Sequence, residues 1–490
     1  MKRREVLLGM SAIAMGPVMT ACNQEQDTRL TSAPLPDDVP LATGRHLLLD
    51  TRIVEDVQNA ELTLGTVSKP DANPLFAEDK PWERRFDNLY ANIIYDEEEE
   101  IYKCWYSPFI VGHTTLGMTE QERLEKEYGK HEREMAICYA TSKDGISWDK
   151  PELGLVEFEG SKSNNIIWRG DPETGVAKWG PHGTGIFKDL RDPDPSRRYK
   201  AILKAEILSV SFSADGIHWS PALPCPEADS DGDTHNNALW APTLNKYVCI
   251  TREWRFTIGD YTRQVARTES DDFVNWTKTE VIMEGLDWSQ QLYAMPVFYH
   301  GGVYLGLLAV HDQDADRVWT ELAWSADTIN WHRVNPGTPL IPNDGEYGDY
   351  DWGCAYAAND PVFLDDEIRL YYGGSDGLHT SWRNGFLCVA SLRPDGFAGY
   401  KASQPATVTT TAMSAGPASL SVSADIESGG ELVVRVLDAS KQVVAESEPL
   451  TDSVTDAGVR WRDDSALGAL ESAQLQFAFN KATVYSFSLS

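Results

Sequence analysis

The sequence predicts an all-β protein, a five-bladed β-propeller over residues 41–402 followed by a C-terminal β-sandwich over residues 403–490. Three observations predict it. A short turn motif returns five times at blade-sized intervals, an apolar hairpin stands before each copy, and the composition shifts after Tyr400.

The motif is Ser142-Lys143-Asp144-Gly145-Ile146-Ser147-Trp148. It returns as Ser213-Ala214-Asp215-Gly216-Ile217-His218-Trp219, as Ser270-Asp271-Asp272-Phe273-Val274-Asn275-Trp276 and as Ser325-Ala326-Asp327-Thr328-Ile329-Asn330-Trp331. A degenerate fifth copy is Ser391-Leu392-Arg393-Pro394-Asp395-Gly396-Phe397, and the intervals are 71, 57, 55 and 66 residues. Serine and aspartate side chains hold nearby backbone N–H groups, glycine supplies a positive φ, and tryptophan plugs the following strand into its blade. The motif is therefore a structural turn. It is similar to the Asp-box of sialidases and other propellers, and implies no sialidase chemistry by itself.

Before each copy lies a hairpin of two apolar runs. The five span Tyr90 to Tyr106, Gly183 to Leu203, Asn237 to Thr251, Ala294 to Val310 and Ala358 to Gly373. Five hairpins and five turns predict five four-stranded blades. The acidic run Glu97 to Glu100 falls on a hairpin tip and reads as a solvated turn. Residues 119–133 are charged, helix-compatible and inserted into the first blade. After Tyr400, Ser, Thr, Ala and Val dominate in short alternating runs, such as Glu431 to Val436 and Ala473 to Phe479, which predicts the sandwich.

The first residues read as an address. Lys2, Arg3 and Arg4 precede an apolar run, Val6 to Met19, too short to span a membrane. Arg3-Arg4 resembles a twin-arginine signal, and Met19-Thr20-Ala21-Cys22 resembles a lipobox. The expectation is a signal peptide over 1–22, lipidation and membrane anchoring at Cys22, and a flexible tether over 23–40. Asn23 is not the aspartate that retains lipoproteins at the inner membrane, so the expected address is the outer membrane, facing the periplasm or the cell surface. Net charge is -32, which argues against nucleic acid as a partner. Six further cysteines lie mostly in apolar strand patterns and read as buried thiols, with one disulfide compatible with an oxidising compartment. Neither zinc-like cysteine spacing nor a P-loop, dinucleotide fingerprint, G-x-S-x-G elbow or H-E-x-x-H helix occurs in a suitable context, so no metal and no cofactor are expected.

The phrases Leu47 to Asp50, Pro81-Trp82-Glu83, Tyr139 to Pro151, Asp351-Trp352-Gly353 and Leu392 to Phe397 resemble exported glycoside hydrolase family 32-like proteins of polysaccharide-degrading bacteria. A propeller with an appended sandwich likewise resembles families 32 and 43. The resemblance implies carbohydrate as the ligand. It does not transfer catalytic residues, because the family's Trp-x-Asn-Asp-Pro-Asn-Gly nucleophile motif and Glu-Cys acid motif are absent. Arg191-Asp192-Pro193 mimics the family's Arg-Asp-Pro motif but falls on a hairpin tip instead of an inner strand.

Propeller topology supplies candidates instead. Loops entering the inner strands share one face with loops joining second and third strands, while the turn motifs lie opposite. Glycoside cleavage takes two carboxyl groups, about 5 to 9 Å apart across the bond. The expected axial carboxylates are Asp87, Asp233 and Asp351, with Glu253 as general acid. Expected substrate contacts are His182, His235, Arg252, Trp352 and His379, since rings stack on sugar C–H faces and polar groups meet hydroxyls. Arg252 and Arg255 alternatively receive a sulfate or carboxylate on the sugar. The function read from the sequence is an exo-acting glycoside hydrolase on oligosaccharides of a complex algal or plant polysaccharide, neutral or anionic. The rival reading is a non-catalytic carbohydrate-binding lipoprotein.

Overall fold

Runs of β-branched and aromatic residues, broken by Gly, Pro, Asn and Asp, favour strands throughout. The computed structural model describes residues 41–128, 132–257, 260–414, 416–463 and 470–490; the expected signal peptide, lipidation site Cys22 and tether lie outside the described residues. Among the described residues the only α-helix is Glu120–Glu125. A capping box closes it: the Thr119 side chain accepts from Glu122 N–H, and the Glu122 carboxylate accepts from Thr119 N–H.

Three antiparallel sheets of four strands follow chain order. The first joins Asn92–Asp96, Ile101–Tyr106, Ile137–Ser142 and Ile166–Trp168; the second His182–Lys188, Tyr199–Lys204, Leu208–Ser213 and Leu223–Pro224. The third joins Asn237–Ala241, Lys246–Thr257, Asp260–Ser270 and Glu280–Met283. A ten-stranded sheet holds two further meanders, joined by one parallel pairing of Val318 with Cys354. In each meander the first strand is interrupted next to a proline, Pro296 or Pro361, which has no N–H for the ladder.

Asparagines tie the innermost strands to one another. Asn92 Nδ2 donates to Thr184 O and its Oδ1 accepts from Ile186 N; Asn237 Oδ1 accepts from Val297 N. Asn359 accepts from Ile93 N and donates to Ile186 O, which fastens the last meander back to the first. These side chains satisfy backbone groups that buried strand ends would otherwise orphan.

The turn motifs are wired locally. In the first four copies the serine Oγ accepts from the N–H three residues on, at 2.8 to 2.9 Å. The aspartate Oδ1 accepts from two successive N–H groups at 2.7 to 2.9 Å. The third residue after the serine is left-handed in each, and Phe273 and Thr328 hold that position without glycine, at φ 65° and 66°. The fifth copy differs. Asp395 leaves its own turn and binds His300, Arg45 and Ser486.

A nine-stranded sheet gathers the C-terminal strands, including Leu420–Leu437 and Gln474–Leu489, around Val422, Leu432, Val434, Phe477 and Val484. It also takes in Gly44–Leu47, Val54–Gln58, Glu61–Leu64 and Ala398–Ala402, strands that the sequence boundaries assigned to the propeller. The place at the outer edge of the last meander is filled from the other end of the chain by Phe76–Ala77, which pairs with Gly385–Leu392. A composition shift marks local character only, whereas the N-terminal strands find partners more than 300 positions away. Cys104, Cys138, Cys225, Cys249, Cys354 and Cys388 are buried free thiols.

Candidate active site

Loops that lead into the innermost strands converge on one cavity of about 300 Å³. Asp87, Asn88 and Tyr90 stand before Asn92–Asp96, His182 opens the second sheet, Asp233 precedes the third, and Tyr293 lies on Gln290–Ala294. Asp87 and Tyr90 adopt left-handed backbone, φ 48° and 46°, a conformation non-glycine residues adopt rarely and that clusters at functional sites. The hairpin of Lys246–Thr257 and Asp260–Ser270 contributes Arg252 and Arg263. The loop after Ile368–Ser375 contributes His379 and Arg383, and the insertion after the short helix contributes Tyr128 and Arg133. Arg123 of that insertion pairs with Asp376 at 2.7 Å, and Trp382 donates to the Glu127 carbonyl, which fastens the insertion beside the cavity.

A second cavity of about 330 Å³ shares Phe109, Arg133, Met135, His182 and Asp233 with the first, and adds Trp179, Lys204 and Glu206. His182 and Asp233 are thus common to both. His182 Nε2 lies 3.3 Å from Asp233 Oδ1, and His182 Nδ1 lies 2.9 Å from Met135 Sδ. Arg252 Nη1 and Lys204 Nζ approach the same carboxylate at 3.7 and 3.9 Å.

Burial alone would raise the Asp233 carboxyl, but the hydrogen bond and charge of His182, then Arg252 and Lys204, outweigh it and hold the group below its ordinary value. Burial and charge oppose each other at Asp87 too. Arg85, its ion-pair partner, and Arg383 win, so that carboxyl is also lowered. Burial, then the charge of Arg383, pushes His379 well below the ordinary imidazole value, so it is neutral; its Nδ1 meets Tyr356 OH at 2.8 Å. Burial, then Tyr293, keeps the Tyr90 phenol protonated. The cleft therefore presents two ionised carboxylates, fixed guanidinium and phenol donors, and apolar faces at Phe109, Met135 and Trp179. That set suits a polyhydroxylated ligand with C–H faces.

Of the residues the sequence singled out, Asp87, Asp233, His182, Arg252 and His379 come together around the first cavity. Four stand apart from it. Glu253 follows Arg252 on one strand, and the two-residue alternation turns it to the other face. There burial pushes its carboxyl to about 7, and one buried oxygen has no hydrogen-bond partner among the described residues. Asp351 is buried against Lys69 at 2.6 Å and the Tyr372 hydroxyl at 2.7 Å, as a structural ion pair. The Trp352 ring lies under Arg317, 4.5 Å from its centroid. His235 is buried and packs its ring against Tyr90, where burial pushes its imidazole down to about 3. Arg255, on the same face as Glu253, pairs with Glu284 at 2.9 Å. Arg191-Asp192-Pro193 lies between the first two strands of the second sheet, with Asp192 held by Lys200 and Arg197.

Sequence reasoning missed Tyr90, Tyr128, Arg133, Arg263 and Tyr293. Arg263 carried a usable signal: Trp254 pairs with Arg263 and Arg252 with Val265 across the hairpin, and directly paired residues share a face. Tyr128 and Arg133 carried none, since an insertion's path cannot be read from its composition.

No family model and no curated protein sequence matches the chain. Among solved structures, one is described by the statement that the GH130 family of mannoside phosphorylases contains glycoside hydrolases that target β-1,2 mannosidic linkages in Candida mannan. It is 15% identical, covers 68% of this chain and 95% of its own, with a TM-score of 0.47. A glycosyl hydrolase from Bacteroides ovatus is 14% identical over 68% of this chain and 95% of its own, TM-score 0.47. The β-1,2-mannobiose phosphorylase from Listeria innocua, in complex with β-1,2-mannobiose, is 11% identical over 67% and 97%, TM-score 0.47.

Proposed function

We propose that the meanders are blades of one five-bladed propeller and that its axial cleft holds an oligosaccharide, on which the chain acts as an exo-acting glycoside hydrolase. One observation carries the reading: the His182–Asp233 pair belongs to both cavities, so a sugar chain spanning them has its linking oxygen beside a carboxylate. Asp87 is the second axial carboxylate, and Asp233 is the base or nucleophile that its ionised state fits. Cavities of about 300 and 330 Å³ are at the small end of ligand sites, which suits the end of a chain better than its middle. Anchored through Cys22 as an exported lipoprotein, the protein would meet polysaccharide fragments at the outer membrane.

A non-catalytic sugar-binding site is the second reading, and one observation favours it. Both axial carboxyls are held ionised, while Glu253, the expected general acid, whose carboxyl is raised to about 7, lies off the cleft. Cleavage needs a proton donor for the leaving oxygen. The test is incubation of the protein, expressed from residue 23, with a panel of plant and algal oligosaccharides, reading released monosaccharide and binding. Release that disappears in Asp233→Asn supports the hydrolase. Binding without release establishes the second reading, and neither release nor binding removes the carbohydrate site.

A further inference from the structure

Asp233 divides the cleft into unlike halves. Around Tyr293, three arginines, Arg252, Arg263 and Arg383, join Arg133, which both cavities share, and the four meet only two carboxylates, Asp87 and Asp233. Arg85 already occupies Asp87, so the half carries an excess of positive charge inside a chain of net charge -32. Arg263 has few partners. Among the described residues it has no ion-pair partner; its Nη1 donates to the neutral Gln291 side chain, and its buried Nε has no hydrogen-bond partner. Arg252 donates to the Tyr293 carbonyl at 2.7 Å, approaches Asp233 no closer than 3.7 Å, and also has a buried, unpartnered Nε.

Both guanidinium groups lie against the Tyr293 ring, 4.3 and 5.0 Å from its centroid, with Trp254 at 5.4 and 4.8 Å. Aromatic faces offset part of the cost of burying these charges. They do not replace an anion, and a buried charge left uncompensated is strongly destabilising. Guanidinium forks held by aromatic rings match the planar or trigonal oxygens of carboxylate and sulfate. The second cavity adds only Trp179, Lys204 and Glu206, and there Lys204 is engaged by Asp231 and Asp233 at 3.5 and 3.9 Å.

We infer that the Arg252–Arg263 half of the cleft is a subsite for an oxyanion carried on the sugar, a sulfate ester or a uronate carboxylate, and that it sets the specificity of the site. The inference rests on the carbohydrate reading of the same cleft and adds which sugar that cleft selects.

The test is equilibrium binding of the intact protein to matched oligosaccharides that are neutral, sulfated or uronate-terminated, with inorganic sulfate and inorganic phosphate as separate probes. The expected result is binding of an anionic sugar about ten-fold or more tighter than of its neutral counterpart. Arg263→Gln removes that preference by weakening the anionic sugar toward the affinity of its neutral counterpart; Arg263→Lys restores part of it. Should Arg263→Gln fail to fold, raising salt from about 50 to about 500 mM in the unaltered protein must shrink the preference without changing neutral binding. Equal affinity for neutral and anionic sugars overturns the subsite and leaves the carbohydrate reading standing. So does Arg263-dependent binding of inorganic sulfate or phosphate with no advantage for anionic sugars, which would mark a free-ion site. Failure of every oligosaccharide to bind overturns both.

Discussion

Carboxylates do opposite jobs on the turn motifs and in the cleft. Asp144, Asp215, Asp272 and Asp327 find their partners within three residues, mostly backbone N–H groups. Asp233 takes its partners from His182, Lys204 and Arg252, which come from two different sheets. Both arrangements lower the carboxyl pKa; the first holds a turn, and the second holds an ionised group on the wall of a cavity. The same residue type, ionised in both places, is wired by its own turn in the motifs and by distant segments at Asp233.

The widest separation between the two is expected in activity. Asp233→Asn should lower turnover by about a thousand-fold or more while leaving the melting temperature nearly unchanged, read by released monosaccharide and thermal unfolding. Asp327→Asn should leave turnover intact, and a loss there would break the distinction. Next is Asp395, the turn aspartate that abandoned its own motif. Asp395→Ala strips His300, Arg45 and Ser486 of a buried partner, and should cost about 2–3 kcal/mol in denaturant unfolding. Asp327→Ala removes only a local cap and should cost about 1–2 kcal/mol.

The pH dependence of stability is a smaller effect. Burial would raise Asp215 and Asp272, but hydrogen bonds from the backbone N–H groups of residues 217, 218, 274 and 275 hold both at about 2. A depressed folded-state pKa adds stability above the unfolded value, near 4, and loses it as pH falls toward 2. Melting temperatures of the unaltered protein and of an Asp215→Asn, Asp272→Asn double variant should therefore converge as pH drops through that window. The smallest effect is expected at Glu253. Turned to the far face of its strand, Glu253→Gln should change turnover by less than about two-fold, and a large loss would return it to the chemistry.

Much of the architecture was legible in the residues because its signals are short. Ser142 to Trp148 and its copies encode their own turn hydrogen bonds, and apolar runs around Asp96 or Asn245 encode hairpins, so neither needs distant context. The site was half legible. Loop position found Asp87, His182, Asp233, Arg252 and His379, but it also selected Asp351, which Lys69 and Tyr372 had claimed from elsewhere in the chain.

By itself the sequence determined strand character, turn wiring, the acidic surface and the loops able to supply polar groups, all properties set within a few residues. Only the tertiary structure decided that Gly44–Leu47 pairs with Gln474–Leu489 and Phe76–Ala77 with Gly385–Leu392, that Glu253 lies off the cleft, and that Arg263 lines it with no ion-pair partner among the described residues. Strand pairing and charge compensation depend on which distant segments meet, and a periodic pattern specifies the face of a strand without naming what it will face.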